Sequence, residues 1–253
     1  MKRALQLWKA ERVKCRRTAA TWVHILVPIT ISFLFLWYYH SSPTGLETKW
    51  ETFIQVLAIG FPFMISIVVS IAAAQEHQSR FAVLIAGTAT KSAVLVVKMA
   101  RLTCWGIFSL ALAISIFGIG MYLQNPSATV GMYVYFSTVI IFISGLLLYV
   151  VHWLVELRLS RNYSIALGLV KSLLAAVFMT GLGDGIWMFV PSSWAVRYTS
   201  YYLAYNESTD PGLLEQIKQV VMNAAVIDIA ITLLLLIGFF LWFTNWEGEH
   251  LDD

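Results

Sequence analysis

Six apolar runs separated by shorter polar stretches organise this chain. They cover residues 22–39, 53–74, 102–122, 133–154, 165–182 and 220–243. Each is close to the ~20 residues that a helix rising ~1.5 Å per residue needs to cross a hydrocarbon layer of ~30 Å. The pattern predicts an all-α membrane protein of six transmembrane helices, one membrane domain over residues 1–253. Pro62 inside the second run removes a backbone donor and predicts a kink.

The polar stretches carry patterns of their own. Residues 76–101 are the longest interruption in the first half of the chain. There Phe81, Leu84 and Ile85 recur at i, i+3, i+4 spacing, among Glu76, Arg80, Lys91, Lys98 and Arg101. This predicts an amphipathic helix between spans 2 and 3. The plainer alternative is a basic loop that only fixes topology. Residues 1–21 hold Leu5, Trp8 and Val13 amid seven Lys/Arg, which predicts an interfacial helix. Residues 183–219 are dense in aromatics: Trp187, Trp194, Tyr198, Tyr201, Tyr202 and Tyr205. They predict a short helical hairpin at the membrane surface, with Pro211 opening a second short helix over 212–219.

Composition narrows the class. The chain is 59% hydrophobic and 12% charged, against ~25% charged in soluble domains. That leaves no room for a soluble catalytic domain. The net charge of +3 says little, but its distribution says more. With both termini on one side, that side carries fourteen Lys/Arg and the other three, Lys49, Arg197 and Lys218. The positive-inside rule then places both termini and residues 76–101 in the cytoplasm and residues 183–219 outside. No A-x-A-type site follows the first run, so it is expected to be retained as a span. Cys15 and Cys104 lie apart and suggest neither a disulfide nor a metal site.

Catalytic motifs do not assemble. Gly87-Thr88-Ala89-Thr90-Lys91-Ser92 lacks the spacing of a phosphate loop, so no ATP hydrolysis is expected in this chain. Gly181-Leu182-Gly183-Asp184 resembles the signature of intramembrane aspartyl proteases, which need a second carboxylate on an earlier span. Asp184 is the first aspartate in the chain, so the motif reads as a glycine-rich helix exit. His152 and Glu156 share a helix face at a spacing that can bind a metal, but two groups at a membrane boundary read rather as a solvated helix end. No catalytic residue, metal ligand, resident cofactor or nucleic-acid partner is expected. Asp228 lies inside the sixth run, with Asn223 beyond it. An intramembrane carboxylate marks either a substrate pathway or a polar pair. Here the pair would be with Arg197 or Lys218, anchoring the external hairpin.

Taken together, six spans, a basic interfacial helix, a long segment between spans 2 and 3 and a hairpin between spans 5 and 6 resemble the permease subunits of type-2 ATP-binding-cassette exporters. The closest local match runs through Glu76, Phe81-Ala82-Val83-Leu84, Gly87-Thr88-Ala89-Thr90 and Lys98, about 25 residues. Arg80 and a proline-free turn depart from the family pattern. The length of the chain and the segment Gly183-Asp184-Gly185-Ile186-Trp187…Pro191-Ser192-Ser193-Trp194 look like the lantibiotic-immunity permeases of Gram-positive bacteria. The resemblance implies a bacterial cell-membrane protein, a separate ATPase subunit that uses ATP and Mg, and a second permease, identical or paralogous. It implies a membrane-inserted antimicrobial peptide or similar amphiphile as substrate. Glu76, Arg80, Phe81, Leu84 and Lys91 are the expected ATPase-coupling residues. Trp187, Trp194, Arg197, Asn223 and Asp228 are the expected substrate-pathway or hairpin residues. A sensory or structural membrane protein without transport, or an intramembrane protease, are the competing readings.

Overall fold

The computed structural model describes residues 6–11, 18–78, 90–126 and 133–247. Among these the chain is helical throughout, with no strand. Residues 6–11 are helical. The long helices are α1 (Ala19–His40), α2 (Leu46–Gln78), α3 (Lys91–Gln124), α4 (Tyr133–Arg158), α5 (Arg161–Met179), α6 (Trp194–Glu207) and α7 (Pro211–Asn245). All but α6 are long and apolar enough to cross a membrane.

The helices turn an inverted pattern towards one another. In α1 the buried positions are Ala20, His24, Pro28, Ser32, Leu36 and Tyr39, while Trp22, Phe33 and Trp37 face outward. Small and polar residues pack inside, because a hydrocarbon surround gives apolar side chains no reason to leave it. The Ser32 hydroxyl lies 2.9 Å from the Ala113 carbonyl of α3 and 2.7 Å from the Pro28 carbonyl, to either of which it donates.

The second helix is the most buried of the six and forms the centre of the bundle. Its largest partner is α5. The buried residues of α5 are Ser164, Gly168, Ser172 and Ala175, a seam of small side chains that lets the two backbones approach. A Cβ on Gly168 would lie 2.1 Å from Ser66 Oγ and 2.4 Å from Ser66 Cβ, so only glycine fits. Just after Pro62, the Phe63 backbone N–H donates to Ser172 Oγ at 3.2 Å. Polar side chains of this kind satisfy backbone groups that a proline disturbs. At the other end of α2, Phe53 stacks on Phe117 of α3 with centroids 4.0 Å apart, and Trp50 meets the same ring edge-on.

Between α5 and α6 the chain makes three single 3₁₀ turns, Gly181–Gly183, Trp187–Phe189 and Pro191–Ser193. Gly185, with φ +77°, supplies the one left-handed residue that glycine tolerates freely. After α6, Asp210 caps α7 by accepting from the Gly212 N–H at 2.9 Å, and Pro211 takes the first helical position.

Several sequence expectations are corrected. Residues 91–101, expected to belong to the segment before span 3, are the first turns of α3, and the expected second short helix over 212–219 is continuous with α7. Lys98 and Arg101 are buried. Lys98 reaches Glu76 of α2 and Glu11, each at 2.6 Å, and Arg101 lies over the Trp8 ring at 5.9 Å. His152 and Glu156 are likewise buried, not at a solvated helix end. The Ser70 hydroxyl donates to Glu156, and His152 Nδ1 meets Ser164 Oγ at 3.0 Å. In each case a charge enters the bundle because a neighbouring helix supplies its partner. Arg80, Phe81 and Leu84, and the amphipathic helix expected there, lie outside the described residues.

Candidate functional site

The turn-rich segment after α5 positions α6. Trp187 and Trp194 are buried with Leu147 and Ala224. The Trp194 indole N–H donates to the Met188 carbonyl at 3.1 Å, and Ser193 Oγ donates to the Trp187 or Val190 carbonyl. Trp187 meets Tyr198 edge-on with centroids 5.3 Å apart.

Arg197 fastens α6 to the end of α5. Its Nε–H donates to the Phe178 carbonyl at 2.5 Å, and Nη2 donates to the Thr180 carbonyl at 2.6 Å and to Asp184 at 2.7 Å. These carbonyls are among the last acceptors of α5, Thr180 also accepting from the Gly183 N–H at 3.0 Å, and a cation there meets the negative end of the helix dipole. The sequence expectation that Arg197 or Lys218 pairs with Asp228 is therefore corrected. Asp228 accepts from the Tyr198 hydroxyl instead. Burial, and then the hydrogen bond and charge of Asp228, raise the Tyr198 phenol above its ordinary pKa and keep it protonated.

A groove of about 640 Å³ opens between α4, α6 and α7. Its walls are apolar residues such as Ile140, Leu147 and Ile229, and its α6 side is Trp194, Tyr198, Tyr201, Tyr202 and Tyr205. Asp228 lines it, and so does Lys218 of the same helix. Lys218 Nζ lies 5.8 Å above the Tyr205 ring. Ten residues separate the two charges, which at ~1.5 Å per residue is about 15 Å along α7. Asp228 is 6% exposed, and its Oδ1 has no hydrogen-bond partner among the described residues. Size, apolar lining and few polar groups are the marks of a small-molecule site.

The groove gathers Trp194 and Asp228 from the expected pathway residues. Trp187 and Arg197 stand behind it as supports, and Asn223 is exposed on α7 away from it. Of the expected coupling residues, Glu76 is tied to Lys98, and Lys91 Nζ donates to the Trp246 carbonyl at 2.6 Å, joining α3 to the end of α7. Tyr198 was visible only as one of several aromatics. Its pairing with a carboxylate thirty residues on leaves no local pattern.

A second polar cluster lies between α2, α4 and α5. Besides the contacts of His152 and Glu156, it includes Lys171, whose Nζ has no hydrogen-bond partner among the described residues. No group of three or more His, Cys, Asp or Glu among the described residues is placed to hold a metal ion. Comparison with known proteins finds no matching family model, no matching curated protein and no matching solved structure.

Proposed function

We propose that this chain is the membrane-spanning permease subunit of an ATP-driven exporter, and that the groove between α4, α6 and α7 holds its amphiphilic substrate. The observation that carries the reading is the groove itself: about 640 Å³, apolar-walled, with a buried carboxylate along a helix long enough to cross a membrane. An amphiphile dissolved in the bilayer finds there both a surface for its apolar body and a polar group for its head. The resemblance to type-2 exporters points to an antimicrobial peptide as that amphiphile, to a separate ATPase subunit and to a second permease.

Driving a two-state permease almost completely from one state to the other needs ~5.5 kcal/mol of differential binding. Phe81 and Leu84, flanked by Arg80 and Lys91, supply apolar anchors of the kind that dominate such contacts. The experiment is purification of the native chain in mild detergent, with ATPase activity assayed on what accompanies it. The same is done with a Phe81→Asp, Leu84→Asp double variant. The expected result is an ATPase that accompanies the native chain, is lost with the variant, and drives efflux of a membrane-dissolved peptide from vesicles. Correctly inserted native chain that brings down no ATPase and supports no efflux overturns the reading.

A further inference from the structure

Among the described residues, the groove holds one charge without a counter-charge. Of these residues only Tyr198 donates a hydrogen bond to Asp228, and it is neutral. Arg197 is the cation nearest to Tyr198 in sequence, and Phe178, Thr180 and Asp184 occupy it. Lys218 lies about 15 Å along the helix, over Tyr205. A carboxylate so placed in a membrane helix faces a cavity and calls for a partner. The groove it lines is also lined by Trp194, Tyr198, Tyr201 and Tyr202. Aromatic rings attract a desolvated cation within ~6 Å of the ring centre.

We infer that the groove binds an amphiphile through an amine cation, with Asp228 as its counter-ion and the tyrosine wall around it. This rests on the groove being the substrate site of the proposed exporter, and it names the substrate class. The cation belongs to a free amphiphile or peptide, not to a lipid headgroup. Asp228 lies eight residues inside the apolar run 220–243, about 12 Å from its near end. A headgroup held at the bilayer surface does not reach it, whereas an amine carried into the groove does.

The test uses the full chain in phosphatidylcholine nanodiscs and two photoreactive probes of equal chain length. One ends in a primary amine and the other in a hydroxyl. Cross-links are mapped by mass spectrometry. The amine probe is expected to label α4, α6 and α7 at the groove at least tenfold more strongly than the hydroxyl probe. D228N should abolish that preference while leaving hydroxyl labelling unchanged, which also shows that the variant is folded. Equal labelling by both probes in the native chain, or an amine preference that survives D228N, overturns the counter-ion role and leaves the groove standing as a site. Absence of groove labelling by either probe overturns both. Loss of amine labelling when phosphatidylethanolamine replaces part of the phosphatidylcholine assigns the site to a lipid headgroup and overturns the choice of a free amphiphile.

Discussion

Replacing Arg197 with methionine removes three donated hydrogen bonds at once, and the structure says which of them matter. Two reach main-chain carbonyls, of Phe178 and Thr180, where α5 ends. Hydrogen bonds from a charged donor contribute ~1.5–3 kcal/mol each. The third reaches Asp184, whose side chain is 68% exposed, so solvent screening limits it to at most ~1 kcal/mol. Arg197→Met should therefore cost about 3–6 kcal/mol, nearly all of it through the carbonyls. That is a large part of the ~5–15 kcal/mol that holds an ordinary domain together. Arg197→Lys keeps the charge but loses the planar fork that spans two acceptors, and should recover about half of the loss. Asp184→Asn should cost less than ~1 kcal/mol. Thermal unfolding in nanodiscs ranks the three variants. Hydrogen exchange should show residues 178–207 loosened in Arg197→Met and unchanged in Asp184→Asn. If Asp184→Asn proves as damaging as Arg197→Met, the ion pair and not the helix cap fastens α6, and the reasoning is wrong.

Two further substitutions probe the bundle. Gly168→Val puts a branched side chain where even a Cβ meets both Ser66 side-chain atoms; overpacking of this kind costs ~1–3 kcal/mol, and a paired Ser66→Gly change should return part of it in a melting experiment. Lys98→Met removes the ammonium that Glu11 and Glu76 share. Breaking a buried pair costs ~3–5 kcal/mol, while Glu11→Gln, which leaves the Lys98–Glu76 contact, should cost distinctly less in the same assay.

The spans were legible because apolar runs of bilayer length leave a signal that needs no knowledge of neighbours. Their ends were not. Hydropathy scores Lys98 and Arg101 singly, so it starts the span at Leu102, whereas α3, with Glu11, Glu76 and Trp8 as partners, begins at Lys91. The same blindness turned His152 and Glu156 into a helix end, since Ser70 and Ser164 lie on other helices. Within the site, Asp228 stood out as a carboxylate inside an apolar run, and the aromatic density of 183–219 was plain. Their partners were not: Arg197 serves a helix terminus, which depends on the path of the turns at Gly181–Gly183, and Tyr198 meets Asp228 only once α6 lies beside α7. Trp187 and Trp194 illustrate a further limit. An aromatic-rich loop reads alike whether its rings face outward or fold inward.

The seventh helix is the least buried of the six apolar spans, yet it is held at two places. At its C-terminal end Phe239 and Phe243 are buried, Arg158 lies over Trp242 at 5.4 Å, and Lys91 holds the Trp246 carbonyl. Towards its N-terminal end Ile217, Ala224 and Asp228 are buried, and Tyr198 holds Asp228. From Asp228 to Phe243 is about 22 Å along the axis. One rod therefore ties the groove wall to the start of α3, so that a shift of α7 along its axis is felt at both.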